Sequence, residues 1–236
     1  MRFDMKFRWL TQGSFLFESN NKRLLVDPYM SDFLETKGVK RMVKFPLSIE
    51  ELKPDALLCT HDHLDHLDPE TVVKISGKYP DCVLAGPERV FNHFTQLEIS
   101  EKRRVLLQID QTKTLAGFDV LPVFAKHSDP SAVGIIISAD NKKVYLSGDT
   151  EFDEKITSNQ LLKKMDLVLI CINGKLGNMT LEQAFETVKK LRPVSALPMH
   201  YGLFSENTAD PLPFIKKCIA EEIKSFEMKY DKFYNI

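Results

Sequence analysis

The sequence predicts an α/β protein in which two mixed β-sheets lie face to face with helices outside. Three observations carry that expectation. Aromatic-rich strands separated by turn residues open the chain and read as hairpins. The later third alternates helical spacing with apolar runs, as in βαβ units. Leu167 to Ile172 is apolar throughout, which suits a strand covered on both faces.

In chain order, Phe3 to Trp9 and Ser14 to Phe17 read as strands with Gly13 as the break between them. Asn20-Asn21 is the turn into Lys22 to Val26, which runs on to Asp27-Pro28. Residues 30–49 show no strong period and read as a long loop with a short helix in it, a candidate lid or pocket wall. Ala56 to Cys59 is an apolar strand. Asp68 can cap a helix whose first position is Pro69, where the missing N–H costs nothing. That helix carries Val72, Val73 and Ile75 and stops near Gly77. A strand from Cys82 to Ala85 and a helix from Glu88 through Phe94 follow.

Val105 to Ile109, Phe118 to Phe124, Gly134 to Ser138 and Val144 to Leu146 are the next strands, with Asp140-Asn141 as a turn. Thr180 to Gln183 fits a capping box ahead of Leu181, Ala184, Phe185, Val188 and Leu191 at helical spacing. Pro193 ends that helix before the strand Val194 to Leu197. Asp210-Pro211 starts a last helix with Phe214, Ile215, Cys218 and Ile219 on one face, and Pro213 is tolerated in its first turn.

A chain of 236 residues can bury a sizeable core and suits a single domain spanning 1–236. A net charge of -1 gives no electrostatic reason to bind nucleic acid. Residues 1–16 alternate charged and apolar groups, and the longest apolar runs are strand-length. No secretory leader and no membrane span are therefore expected, and the protein reads as cytoplasmic. Cys59, Cys82, Cys171 and Cys218 are widely spaced, mostly in apolar segments, and read as reduced and buried.

Three of the six histidines fall within six residues, in His61-Asp62-His63-Leu64-Asp65-His66, directly after an apolar strand. Imidazole nitrogen and carboxylate oxygen are ligands for zinc, manganese and iron, so this knot points to metal. His127, Asp149 and His200 each follow a strand as well, at the strand ends where layered α/β proteins bind ligands. Asp27 ends a fourth strand, where a turn role competes with a functional one. His93, in Phe91-Asn92-His93-Phe94, reads as a helix residue with a packing or surface role.

The set His61, His63, Asp65, His66, then His127, Asp149 in Ser147-Gly148-Asp149-Thr150, and His200 resembles the metallo-β-lactamase fold superfamily, whose signature is H-x-H-x-D-H. The resemblance runs from about Phe7 to the last helix. It implies a four-layer αββα sandwich with metal at one edge of the sheets. By the family's roles, His61, His63 and His127 hold a first metal, Asp65, His66 and His200 a second, and Asp149 bridges them. Within the superfamily, the segments Asn173 to Thr180 and Pro198 to Phe204 resemble the L-ascorbate-6-phosphate lactonase-like branch of small hydrolases. That likeness implies two divalent ions, manganese or zinc, with iron an option.

The function expected is a metal-dependent hydrolase. Metal-activated hydroxide attacks a small, anionic ester or lactone of the sugar-phosphate lactone kind, and Asp65 or Asp149 orients the nucleophile or relays a proton. One alternative is a phosphodiesterase acting on a small phosphodiester or cyclic nucleotide. A di-iron redox protein and a non-catalytic, metal-stabilised scaffold are the alternatives of other classes. Asn173, Lys175 and Asn178, in a glycine-punctuated loop before a helix N-terminus, are candidate contacts for an anionic substrate. Tyr201 is a candidate pocket wall. For the loop, a solvent-facing turn is the competing reading, and for Tyr201, packing beside His200. The expected partner is a small molecule, with neither nucleic acid nor membrane, and a homo-oligomer stays open.

Overall fold

The computed structural model describes residues 5–236. Phe3, which heads the first expected strand, lies outside the described residues, and β1 runs Lys6–Thr11. It pairs antiparallel with β2 (Ser14–Ser19), which turns into β3 (Lys22–Val26). The turn residues Asn20 and Asn21 have φ of 49° and 60°. That is the backbone form a two-residue hairpin requires, and asparagine tolerates it better than most L residues. The segment after Pro28 holds a 3₁₀ turn (Phe33–Lys37) and ends in the one-turn α1 (Ile49–Leu52). Strands β4 (Ala56–Leu58), β5 (Val83–Gly86) and β6 (Arg104–Leu106) then extend the sheet in parallel. They are linked by α2 (Pro69–Lys78) and α3 (Glu88–Gln96).

The second sheet is built from β7 (Lys113–Leu115), β8 (Phe118–Phe124), β9 (Val133–Ala139) and β10 (Lys142–Leu146), all antiparallel. After the short α4 (Glu154–Ser158) it continues in parallel with β11 (Leu167–Cys171) and, beyond α5 (Leu181–Leu191), β12 (Ser195–Met199). Helix α6 (Leu212–Ala220) covers β12, and β13 (Phe233–Asn235) returns to pair with β1. The strand orders are β13-β1-β2-β3-β4-β5-β6 and β12-β11-β10-β9-β8-β7. Two mixed sheets flanked by helices make an αββα sandwich, as the sequence predicts.

The period of two decides which side chains form the middle layer. Phe15 and Phe17 of β2, Leu24 and Val26 of β3, and Ala56 and Leu58 of β4 join the core shared by the two sheets. Their neighbours Leu16, Leu25 and Leu57 point the other way, into a second core with Val72 and Ile75 of α2 and Val90 and Phe94 of α3. Each fully buried phenylalanine stabilises the sandwich by roughly 1.5–3 kcal/mol. A one-residue slip of β2 would exchange its two faces, so the register is firmly held.

Local signals set most boundaries. The Asp68 side chain accepts from the Glu70 N–H, capping α2 with Pro69 at its first position. The Thr180–Gln183 capping box opens α5 as expected. The strand expected over Val105–Ile109 is shorter, because the chain crosses to the second sheet, where the Asp110 N–H donates to the Pro122 carbonyl. β7, α4 and β13, none longer than five residues, carry no periodicity that would announce them.

Candidate metal centre

The parallel strands of each sheet end on one rim, and the polar residues sit just past those ends. Asp27 follows β3 and His61 follows β4 in the first sheet. In the second, His127, Asp149 and His200 follow β8, β10 and β12. β8 runs the same way as β10 because both are antiparallel to β9 between them. Gly148 allows the approach of the two rims: a Cβ there would lie 3.0 Å from the Val133 carbonyl oxygen and 3.3 Å from the Thr60 side chain, at a φ of 59°. Gly13 likewise leaves room for His66, whose Cε1 a Cβ would meet at 2.8 Å.

All seven expected residues converge. His61 Nε2 and His127 Nε2 each lie 3.1 Å from His63 Nδ1. Beside them, His66 Nε2 and His200 Nε2 are 3.2 Å apart, and Asp65 Oδ2 lies 3.8 Å from the former and 3.7 Å from the latter. Asp149 stands between the two groups. Its Oδ1 is 3.3 Å from His66 Nε2 and 3.0 Å from His200 Nε2, and its Oδ2 is 4.0 Å from His127 Nε2. The triads His61–His63–His127 and Asp65–His66–His200 each have ligand atoms close enough to share one ion, as does His61–His66–Asp149.

The outer hydrogen bonds fix which ring nitrogens face inward. Thr60 Oγ1 donates to Asp27 Oδ2 at 2.7 Å, so toward His61 Nδ1, 3.0 Å away, it acts as acceptor. His127 Nδ1 donates to the Gly177 carbonyl at 3.0 Å, and His66 Nδ1 to Asp27 Oδ2 at 2.8 Å. In each ring the outer nitrogen carries the proton and Nε2 presents a lone pair. Lone pairs crowded at such distances repel unless a cation lies among them. Asp149 Oδ1 is also buried without a hydrogen-bond partner. Nitrogen and carboxylate donors with one orphaned oxygen between them fit a pair of divalent cations.

Protonation at the first triad agrees with that fit. Burial, reinforced by the neighbouring His66, holds His61 well below the usual histidine range, and burial followed by His127 lowers His63. Both rings are thereby neutral and able to ligate at neutral pH. Burial disfavours charge on Asp149, but His200 and His66 outweigh it and keep the carboxylate ionised. Burial also opposes charge on His66, where Asp149, Asp65 and Asp27 prevail and raise it.

A cleft of about 560 Å³ opens over this cluster. His63, Asp65, Asp149, Ser128, Glu151, Leu176, Gly177 and Asn207 line it. The expected substrate contacts stand differently. Asn178 is buried and donates to Asp149 Oδ2 at 2.9 Å, so it holds a cluster residue in place. Asn173 is buried and donates to Asn207 Oδ1 at 2.6 Å. Lys175 turns its ammonium to the Glu206 carbonyl at 2.9 Å and does not line the cleft. Tyr201 is buried in the core, its ring centroid 4.9 Å from that of Trp9, and is absent from the cleft wall.

Sequence reasoning passed over several groups around the cluster. His93 reaches from α3 to Asp62 inside the knot, with Nδ1 2.6 Å from Oδ1. The Asp62 N–H donates to Asp129 at 2.9 Å, and Gln12 donates to Asp65 Oδ2 at 3.4 Å. Glu151 and the Gly177 carbonyl were equally unmarked, and Asn207 stood out by family likeness alone, with no role assigned. Only Asp27, at a strand end before proline, gave a local signal.

An αββα sandwich with paired His/Asp clusters at the strand-end rim defines a metal-dependent hydrolase fold. The family model described as "Beta-lactamase superfamily domain" matches residues 22–201. The chain belongs to that superfamily and, within it, to the UPF0173 family. A UPF0173 metal-dependent hydrolase of Thermoplasma acidophilum is 32% identical over 203 residues, 82% of each chain. A UPF0173 protein of Pyrococcus furiosus is 28% identical over 90% of each chain. Among solved structures, the metallo hydrolase Igni18 of Ignicoccus hospitalis has the same fold, with a TM-score of 0.81 at 24% identity over 98% of each chain. No helix of the described residues is long and apolar enough to cross a membrane.

Proposed function

We propose that the protein hydrolyses a small ester or lactone at a centre of two divalent ions. The reading rests on Asp149, whose two oxygens face different histidine groups and whose Oδ1 has no hydrogen-bond partner. His61, His63 and His127 would hold one ion, Asp65, His66 and His200 the other, with Asp149 between. When bound, such ions supply Lewis-acid polarisation and lower the pKa of water toward neutrality. Manganese and zinc both suit a mixed imidazole and carboxylate set, and iron remains compatible with it.

The chain's own residues do the rest. Asp27, Thr60 and the Gly177 carbonyl fix the histidine rings, and Asn178 fixes the Asp149 carboxylate. Asp65 is the cluster carboxylate that is partly exposed, its side chain at 18%, so it can pass a proton to a leaving oxygen. The family name of the relatives, metal-dependent hydrolase, agrees with this chemistry. The test is a parallel assay of protein loaded with Mn²⁺ or Zn²⁺ on lactones, carboxylic esters, phosphodiesters and cyclic nucleotides. Turnover of the acyl substrates is expected. A phosphodiester favoured by more than about 10-fold in kcat/KM would replace this reading with a phosphodiesterase.

A further inference from the structure

The wall of the cleft fixes what kind of molecule it can read. Asn173 Nδ2 donates to the Lys175 carbonyl at 3.3 Å and to Asn207 Oδ1 at 2.6 Å. A carbonyl can only accept, so Asn173 must present its NH₂ group on that side, and Asn207 must answer with its oxygen. This chain of partners settles both amide orientations. The NH₂ group of Asn207 is left over, and it donates to no group among the described residues. Asn207 is thus a neutral donor on the cleft wall, held by its own acceptor end.

Leu176 lines the same cleft with 77% of its surface exposed. It is fixed in the left-handed region, φ 53°, close to Gly174 and Gly177 at 65° and 83°. The turn is in turn anchored by His127 on the Gly177 carbonyl and by the Asn173–Thr180 bridge. An isolated exposed leucine needs no explanation, but one held over a catalytic-type cleft by three positive-φ residues is a contact surface in waiting.

Charge points the same way. Among the described residues lining the cleft there is no lysine or arginine, and Glu151 faces it. Lys126 is paired with Glu151 at 3.1 Å, and Lys175 with the Glu206 carbonyl. A tail carrying phosphate or carboxylate would meet a carboxylate and find no cation beyond the metal cluster.

We infer that the cleft reads an uncharged ester or lactone, with an oxygen accepting from Asn207 and an apolar tail lying on Leu176. This deepens the hydrolase reading and rests on it, and it departs from the anionic substrate that the position of Lys175 in the sequence suggests. The experiment measures binding, independently of turnover. Metal-loaded protein is titrated calorimetrically with non-hydrolysable lactams bearing a short alkyl tail, a long alkyl tail, or the long tail ending in carboxylate.

The long neutral lactam is expected to bind about 10-fold or more tighter than its carboxylate twin. Leu176→Ala should erase the gain from tail length, and Leu176→Lys should reverse the preference for charge. Asn207→Asp keeps the oxygen that Asn173 needs and removes the donor, so it should weaken the neutral lactams roughly 3- to 10-fold at unchanged Tm and metal content. Equal or tighter binding of the carboxylate form overturns the inference. So does a length dependence that survives Leu176→Ala, or no measurable binding of any lactam. If the expected binding pattern appears but no matching lactone or ester is hydrolysed with either metal, the recognition stands and the hydrolase reading falls.

Discussion

Asp27 Oδ2 accepts from His66 Nδ1 at 2.8 Å, with both side chains fully buried. Asp27 also accepts from the Thr60 N–H and hydroxyl, both at 2.7 Å, and Thr60 in turn steadies His61. One carboxylate therefore aims a histidine of each triad. It does so from a left-handed backbone, φ 46°, an uncommon form for a residue other than glycine.

Replacing Asp27 by Asn keeps the volume and leaves one oxygen for Thr60, but weakens the aim of His66. Loss of such an outer partner typically costs 10- to 100-fold in metal affinity. Asp27→Asn should therefore raise the Kd for Mn²⁺ or Zn²⁺ by about that factor in a competition titration with a metal dye. An unchanged Kd would show that His66 is aimed by packing alone.

Asp149→Asn should remove far more activity than stability. The amide still pairs with Asn178, yet the charge that faces His66 and His200 is gone. Activity should fall by more than about 100-fold, beyond the range of outer-partner losses, while Tm of the metal-free protein changes little. Near wild-type kcat with both ions retained would contradict a bridging role.

Removing the ions should destabilise the fold. A ligand at 100 times its Kd stabilises the state that binds it by about 2.7 kcal/mol. For a chain of this size, that corresponds to about 5–10 °C in Tm on adding a chelator. His61→Ala combined with His200→Ala should abolish the chelator effect in differential scanning calorimetry. Equal melting with and without chelator in the wild type would mean that no ion is held.

The cysteines set an alkaline limit. All four are free and buried, and burial raises Cys171 to about 11 and Cys82 and Cys218 to about 12, from 9.0. The folded state holds these protons longer than the unfolded chain does, so their contribution is intact below pH 9 and is lost as pH rises toward 11–12. The slope is about 1.4 kcal/mol per pH unit for each thiol. A thiol reagent at neutral pH should label none of the four in native protein and all of them in denaturant. Rapid labelling of the native state would refute their burial.

The sandwich and the seven-residue cluster were legible because their signals are local. The histidine knot is contiguous and follows an apolar strand, His127, Asp149 and His200 each come after one, and Pro69 and Thr180 mark helix starts. The second layer was not, since it is made by residues distant in the chain. His93 meets Asp62 across 31 positions and Asn207 meets Asn173 across 34. The Gly177 carbonyl that aims His127 belongs to the backbone and leaves no trace in residue type. Lys175, expected as an anion contact, instead turns to the Glu206 carbonyl, for a related reason. Position in a loop does not say which way a long flexible side chain turns.

The cluster draws on both sheets: Asp27 and the knot come from β3 and β4, and His127, Asp149 and His200 from β8, β10 and β12. The sandwich is thus fastened in two different ways. Its middle is held by apolar packing, which is non-directional. One rim carries a clasp of oriented donors that would close around positive charge. Without that charge the rim should be the first part of the sandwich to breathe, with amide protons after β4, β8, β10 and β12 exchanging early while those of β2 and β11 stay protected. Ion uptake would then be felt as a stiffening of one seam, at the place where a substrate enters.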